Sequence, residues 1–223
     1  MVETVMTRLA EATLPLGVPA VERIAETTES DPFQVLVGTL LSARTQDRTT
    51  DAACERLFAV APDVHVMARL RVDRIERLIY PVSFYRHKAR HVKAACRILL
   101  ERFGGRVPSS MDELLLLPGV GRKPANLVLI LGFGSKANIC VDTHVHRISN
   151  RLGWVTTRTP EETEQALYQA IEPRWWPRLN LYLVTWGQKV CRPIGPRCSQ
   201  CVLATVCPKI GVRSRAPLPA ASR

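Results

Sequence analysis

The chain has 223 residues, enough for one large domain or two small ones. Hydrophobic residues make up 46%, which permits a packed core and excludes a globally disordered chain. Lysine and arginine number 31 against 20 aspartates and glutamates, a formal charge of +11, so an anionic partner is expected, nucleic acid ahead of a membrane surface. No apolar run reaches the roughly 18 residues of a membrane span, so no membrane partner is expected. Met1, Val2, Glu3 and Thr4 open the chain without the basic and apolar regions of a secretion signal. The expectation is a cytoplasmic, monomeric protein, which in a bacterium would reach the nucleoid directly.

In chain order, residues 2–28 read as one or two packing helices, with Val5, Leu9 and Leu14 apolar and Pro15 and Pro19 as breaks. Asp31 and Pro32 open a stronger helix, Asp as N-cap and Pro at the first helical position. Phe33, Leu36, Val37, Leu40 and Leu41 follow the i, i+3, i+4, i+7, i+8 pattern of a core helix. It runs into Ser42–Asp47, a polar stretch without glycine, where the plain reading is a loop with Asp47 capping the next helix. Residues 48–102 give further amphipathic helices, and 69–77 read as a charged, solvated surface. The loop 81–88 mixes Phe84 and Tyr85 with basic residues, a combination that stacks on bases while holding phosphates; these aromatics equally suit the core at a helix start. A long helix over about 86–103 follows.

The chain is organised around residues 112–132. Two short apolar segments flank Leu117, Pro118, Gly119, Val120 and Gly121. A proline and two glycines at that spacing make a tight turn and let another backbone come close. Ser110 and Glu113 have capping-box spacing for the helix entering the turn. The helix leaving it starts near Gly121 and carries Leu127, Val128 and Leu131 on one face. The N–H groups of its first turn lack intrahelical partners and the dipole there is positive, which suits a phosphate. Arg122 and Lys123 lie in that turn. Asp142 caps a further helix over 143–152, and Thr159 with Pro160 starts another. No sustained period-2 alternation occurs, so the fold class expected is all-α.

Cys54, Cys96 and Cys140 are scattered in apolar surroundings and read as buried, reduced thiols. Cys191, Cys198, Cys201 and Cys207 instead cluster within 17 residues at spacings x6, x2 and x5. Thiolates suit zinc or iron–sulfur. Zinc sites usually show two close Cys pairs; one close pair with wider spans suits a [4Fe–4S] cubane, and Pro208 after the last cysteine is also seen in ferredoxin-type sites. Zinc stays open as the alternative. Arg192 and Arg197 make the first span basic, a loop suited to phosphate contact.

The Leu-Pro-Gly-Val-Gly-Arg-Lys run of residues 117–123 resembles the helix-hairpin-helix of DNA repair glycosylases. Val141, Asp142, Thr143 and His144, with Asp142 nineteen residues after Lys123, resemble the endonuclease III branch, as does the x6, x2, x5 cysteine spacing. The resemblance runs from about Thr7 to Ile210. It implies a bifunctional DNA glycosylase/AP lyase that removes oxidised or ring-saturated pyrimidines from double-stranded DNA. Lys123 and Asp142 would be catalytic, the four clustered cysteines would hold a [4Fe–4S] cluster, and Gly119, Gly121 and Arg122 would meet the backbone phosphates. It also implies a monovalent cation at the hairpin carbonyls. Arg44 falls where the family commonly has a Gln that fills the gap left by the extruded nucleotide, and Phe84 where an aliphatic wedge is common. Tyr85, His144, Arg192 and Arg197 complete the expected DNA contacts. One departure is Pro124, where Thr is common; proline in a first helical turn costs little.

The architecture implied has two lobes. A helical domain spans 28–140 and contains the hairpin; residues 1–27 with 141–212 form the cluster domain; 213–223 read as a flexible basic tail. Two other functions compete. A mismatch adenine glycosylase shares the fold and cluster but usually lacks the hairpin lysine and adds a C-terminal domain. A non-catalytic iron–sulfur DNA-binding or redox module has no need of Lys123 and Asp142.

Overall fold

A computed structural model describes residues 1–212; the expected basic tail lies outside the described residues. These contain no strand, in keeping with the all-α expectation. The helices are α1 (Val2–Thr13), α2 (Ala20–Thr27), α3 (Pro32–Ser42), α4 (Asp47–Val60), α5 (Val64–Arg69), α6 (Val72–Ile79), α7 (Tyr85–Phe103), α8 (Met111–Leu114), α9 (Arg122–Phe133), α10 (Thr143–Arg151), α11 (Pro160–Ala170) and α12 (Trp176–Lys189). They form two compact units, one of Val18–Cys140 and one of Met1–Gly17 with the chain from Val141 onward.

The first boundary falls at Val18, ten residues before the expected position 28. The reason is that α2 buries Val21 and Ile24 in the core shared by α3, α7 and α9. Gly38 of α3 leaves the room: a Cβ there would stand 2.6 Å from Ile24 Cδ1. In the same unit α3 is capped as expected, Asp31 Oδ1 accepting from Gln34 N at 2.8 Å. Its buried face packs on α9, whose Ala125 through Ile130 are all buried. The charged residues Arg69, Arg71, Asp73, Arg74 and Arg77 of the stretch 69–77 are exposed as expected, while Ile75 on the opposite face of α6 is buried. Asp47 begins α4 from inside its first turn, while Gln46 stands at the N-cap without a side-chain bond; the expected Asp47 cap is not formed.

In the other unit α12 packs against α1 and α10. Val5, Met6, Leu9, Val145, Ile148, Leu179 and Leu183 supply its apolar interior. Thr159 caps α11 by accepting from Glu162 N at 3.1 Å.

Candidate active site and cysteine centre

The hairpin is built by local rules. Ser110 Oγ accepts from Glu113 N at 3.4 Å and meets the Glu113 carboxylate at 2.6 Å, starting α8. Val120 N donates to Leu117 O at 3.1 Å and closes the turn, with Leu117 and Val120 buried beneath it. The two glycines have different jobs. Gly119 has φ +82°, and a Cβ on it would lie 2.6 Å from His91 Nδ1. Gly121 has ordinary extended backbone (φ −102°, ψ −172°) and no atom of the chain within 4 Å of such a Cβ. A side chain at Gly121 would stand in open space. Gly121 is also the N-cap of α9 and offers no side-chain cap bond at the positive end of the helix. Arg122 and Lys123 occupy the first two helical positions, both half-buried. Pro124 follows in the same turn, where no intrahelical bond is lost.

Two loops of this unit carry the expected wedge residues. Arg44 and Phe84 are both exposed and both left-handed, at φ 55° and 56°. The core reading of Phe84 fails, since 61% of its surface is open. Tyr85 does pack against the core; it meets Tyr80 edge-on at 5.4 Å, and the Arg86 guanidinium lies 5.3 Å from its ring centroid. Between the loops lies Lys88, a buried residue that the sequence did not single out. Its Nζ donates to Leu41 O (2.8 Å), Ala43 O (2.6 Å) and Thr45 Oγ1 (3.0 Å). Burial pushes this ammonium down to about 8, while three oxygens hold the proton in place.

In the other unit Asp142 caps α10 as expected. Its Oδ1 accepts from His144 N (2.8 Å) and Val145 N (2.9 Å). Arg147 Nη2 lies 3.1 Å from His144 Nδ1; the guanidinium only donates, so this ring nitrogen accepts and the ring proton sits on Nε2. The same guanidinium holds Cys191 O at 2.8 Å. Arg151, nearly buried, donates to Arg192 O (2.7 Å), Pro193 O (3.0 Å) and Cys191 Sγ (3.3 Å). These two arginines shape the cysteine loop from α10, and their roles depend on contacts 40 or more residues away that no local pattern announces. Arg192 and Arg197 are themselves exposed.

Cys191, Cys198, Cys201 and Cys207 are free thiols lining one hollow of about 430 Å³, open solvent included, with Trp186, Val190 and Leu203 as apolar wall. Among the described residues no three His, Cys, Asp or Glu side chains are grouped closely enough for a single metal ion. Cys207 is pushed up by burial first, and the neighbouring thiols add to this against a bond from Lys209 N. Four soft sulfur donors lining one hollow suit a thiolate-bound cationic group. They are the residues that could hold an iron–sulfur group. Cys54, Cys96 and Cys140 are buried as expected, and burial drives the Cys54 and Cys96 thiols up to about 12, far from reactive.

Residues 37–173 match the family model of the HhH-GPD superfamily base excision DNA repair protein. The endonuclease III of Thermotoga maritima is 49% identical over 179 residues, covering 80% of this chain and 84% of that protein. Two solved structures are similar over most of the chain. A non-covalent endonuclease III–DNA complex matches with TM-score 0.75 and 34% identity over 80% of this chain and 84% of its own. A trapped endonuclease III–DNA covalent intermediate matches with TM-score 0.75 and 31% identity over 85% and 93%. The chain belongs to the endonuclease III family of HhH-GPD base excision DNA repair proteins.

Proposed function

We propose that this chain removes oxidised or ring-saturated pyrimidines from double-stranded DNA through a Schiff base on Lys123, and then nicks the strand by β-elimination. Membership of the family makes it a DNA glycosylase/AP lyase of base excision repair. The observation that carries the finer reading is the hairpin: a Gly121 with no internal need to be glycine, an uncapped helix end, and Lys123 in the first turn. The likeness to an endonuclease III trapped covalently on DNA supports a covalent route.

The target carbon, C1′, is out of reach in a stacked duplex, so the nucleotide is extruded first. Gly119, Gly121 and Arg122 hold the flanking phosphates, with a monovalent cation at the hairpin carbonyls. Arg44 and Phe84 fill the space left behind, and Tyr85, His144, Arg192 and Arg197 add contacts to the strand. The neutral amine of Lys123 attacks C1′; the C1′–N bond breaks and the base leaves with the bonding pair. Loss of a proton from nitrogen and opening of the sugar ring give an iminium between Nζ and C1′. The iminium acidifies the C2′ proton, whose departure expels the 3′ phosphate oxygen. Asp142 stabilises positive charge on the sugar. Its Oδ1 is engaged by the α10 cap, so Oδ2 is the oxygen offered.

Cys191, Cys198, Cys201 and Cys207 hold a [4Fe–4S] cluster, which when bound supplies four irons that cross-link the loop. Arg147 and Arg151 orient that loop through its carbonyls, and Arg151 also through the Cys191 sulfur. The protein acts as a monomer.

Single-turnover release of the damaged base and nicking, measured side by side for wild type and Lys123→Ala, test this. Both steps should fall by at least about 10⁴-fold, the scale of removing a nucleophile. A mutant that still releases base at an appreciable rate would overturn the Schiff-base route.

A further inference from the structure

Arg44 and Phe84 share an unusual backbone. Left-handed φ is unfavourable for any residue with a Cβ, yet both adopt it without being glycine or asparagine. Such conformations persist only where the surroundings over-determine them, and they gather at functional positions. Here one side chain does much of that work. Lys88, 7% exposed, donates its three N–H bonds to the carbonyls of Leu41 and Ala43 and to the hydroxyl of Thr45. Thr45 Oγ1 also accepts from Ser83 N at 3.3 Å. Lys88 N bonds back to Phe84 O at 3.1 Å. Both neighbours of Arg44 are thereby bonded to the Lys88 side chain, while Ser83 reaches it through the Thr45 hydroxyl they share and Phe84 through the first backbone bond of α7, the helix that carries Lys88.

An ammonium among carbonyls is a demanding way to join two loops. A buried charge costs heavily unless each donor is matched, and an apolar side chain could fill the same space. What the charge adds is direction: three bonds fix the loop ends in orientation as well as in distance.

We propose that Lys88 is a positioning residue that locks the Arg44 and Phe84 loops together, so that both side chains enter the DNA stack as a preset pair when the damaged nucleotide leaves it. This rests on the glycosylase mechanism above. Lys88 touches neither substrate nor reacting atoms; it acts on extrusion.

The test compares two duplexes, one with a ring-saturated pyrimidine and one with an abasic site. The first requires a base to be unstacked; the second has none to unstack at the target. Lys88→Met should slow single-turnover excision by about tenfold or more, the scale of a misplaced positioning group. Nicking at the abasic site should stay within about threefold of wild type, since the extrusion cost is absent. Thr45→Val removes one shared acceptor and carries the same test if Lys88→Met does not fold; Thr45→Ser, which keeps the hydroxyl, should restore excision. A 2-aminopurine beside the lesion should brighten on binding wild type and less on binding Lys88→Met or Thr45→Val. Equal losses on both duplexes, or none on either, would overturn the lock. Wild type inactive on both duplexes would instead overturn the mechanism beneath it, and the two failures are distinguishable.

Discussion

The hairpin and the cysteine loop are the two chemical regions of the molecule, and they are held by opposite means. Leu114, Leu117 and Val120 are buried under the hairpin, and α9 behind it sinks six consecutive residues, Ala125–Ile130, into the Val18–Cys140 core. Its shape is fixed by apolar packing and one glycine in the left-handed region. After Cys191 the chain buries one large apolar side chain, Leu203, and is otherwise tied by polar threads among the described residues: Arg147 and Arg151 to carbonyls, and Arg8 of α1 to Val202 O and Thr205 Oγ1. On the proposed function, the polypeptide finishes the platform of Lys123 by itself, and the cysteine loop would be a frame for an inorganic core. Removing a charge should therefore cost chemistry at the first, and removing the group should cost structure at the second.

The largest effect expected beyond loss of Lys123 is at Asp142. Asn caps a helix as well as Asp, so Asp142→Asn keeps α10 and removes only the charge. Turnover should fall by about 10²–10³-fold, the scale of one electrostatic stabiliser, with an unchanged melting curve. A parallel loss of melting temperature would make Asp142 a helix cap and nothing more.

Cys198→Ser, or chelation of the iron, sharpens the contrast. The chain from Cys191 to Cys207 should lose amide protection while α9 keeps it, and stability should drop by about 3 kcal/mol, the value for opening a closed loop of this length. Equal loss of protection in α9 would contradict a self-sufficient hairpin.

The two glycines give the smallest and most local test. Gly119→Ala forces a Cβ into left-handed backbone and against His91, and should cost more than about 1 kcal/mol of stability. Gly121→Ala meets nothing in the chain. Its stability should stay within about 0.5 kcal/mol, a stiffer unfolded chain offsetting a poorer cap. Its DNA affinity should still fall about tenfold, the scale of one hydrogen bond to a charged group. If Gly121→Ala binds DNA normally, no phosphate approaches that backbone.

How much of this was legible in the sequence follows the range of the interactions. The Asp31, Ser110, Asp142 and Thr159 caps act over two or three residues, and each was readable from residue type and spacing. So was the tight turn of the hairpin, in which Gly119 alone of the two glycines takes a positive φ. The unit boundary at Val18 is not legible in the sequence, because the apolar face of α2 does not say which core receives it. Arg44 and Phe84 gave no hint of left-handed backbone, since glycine and asparagine are its usual sequence marks. Lys88 was hidden for the same reason as Arg147 and Arg151: its partners lie more than 40 residues away, and a basic residue in a basic loop reads as solvated.

The most direct test of the central claim is borohydride trapping of wild type on duplex DNA with a ring-saturated pyrimidine, followed by peptide mapping of the adduct. The account predicts one covalent product, on the peptide that contains Lys123. An adduct on another amine, or none from protein that binds the duplex, would contradict it.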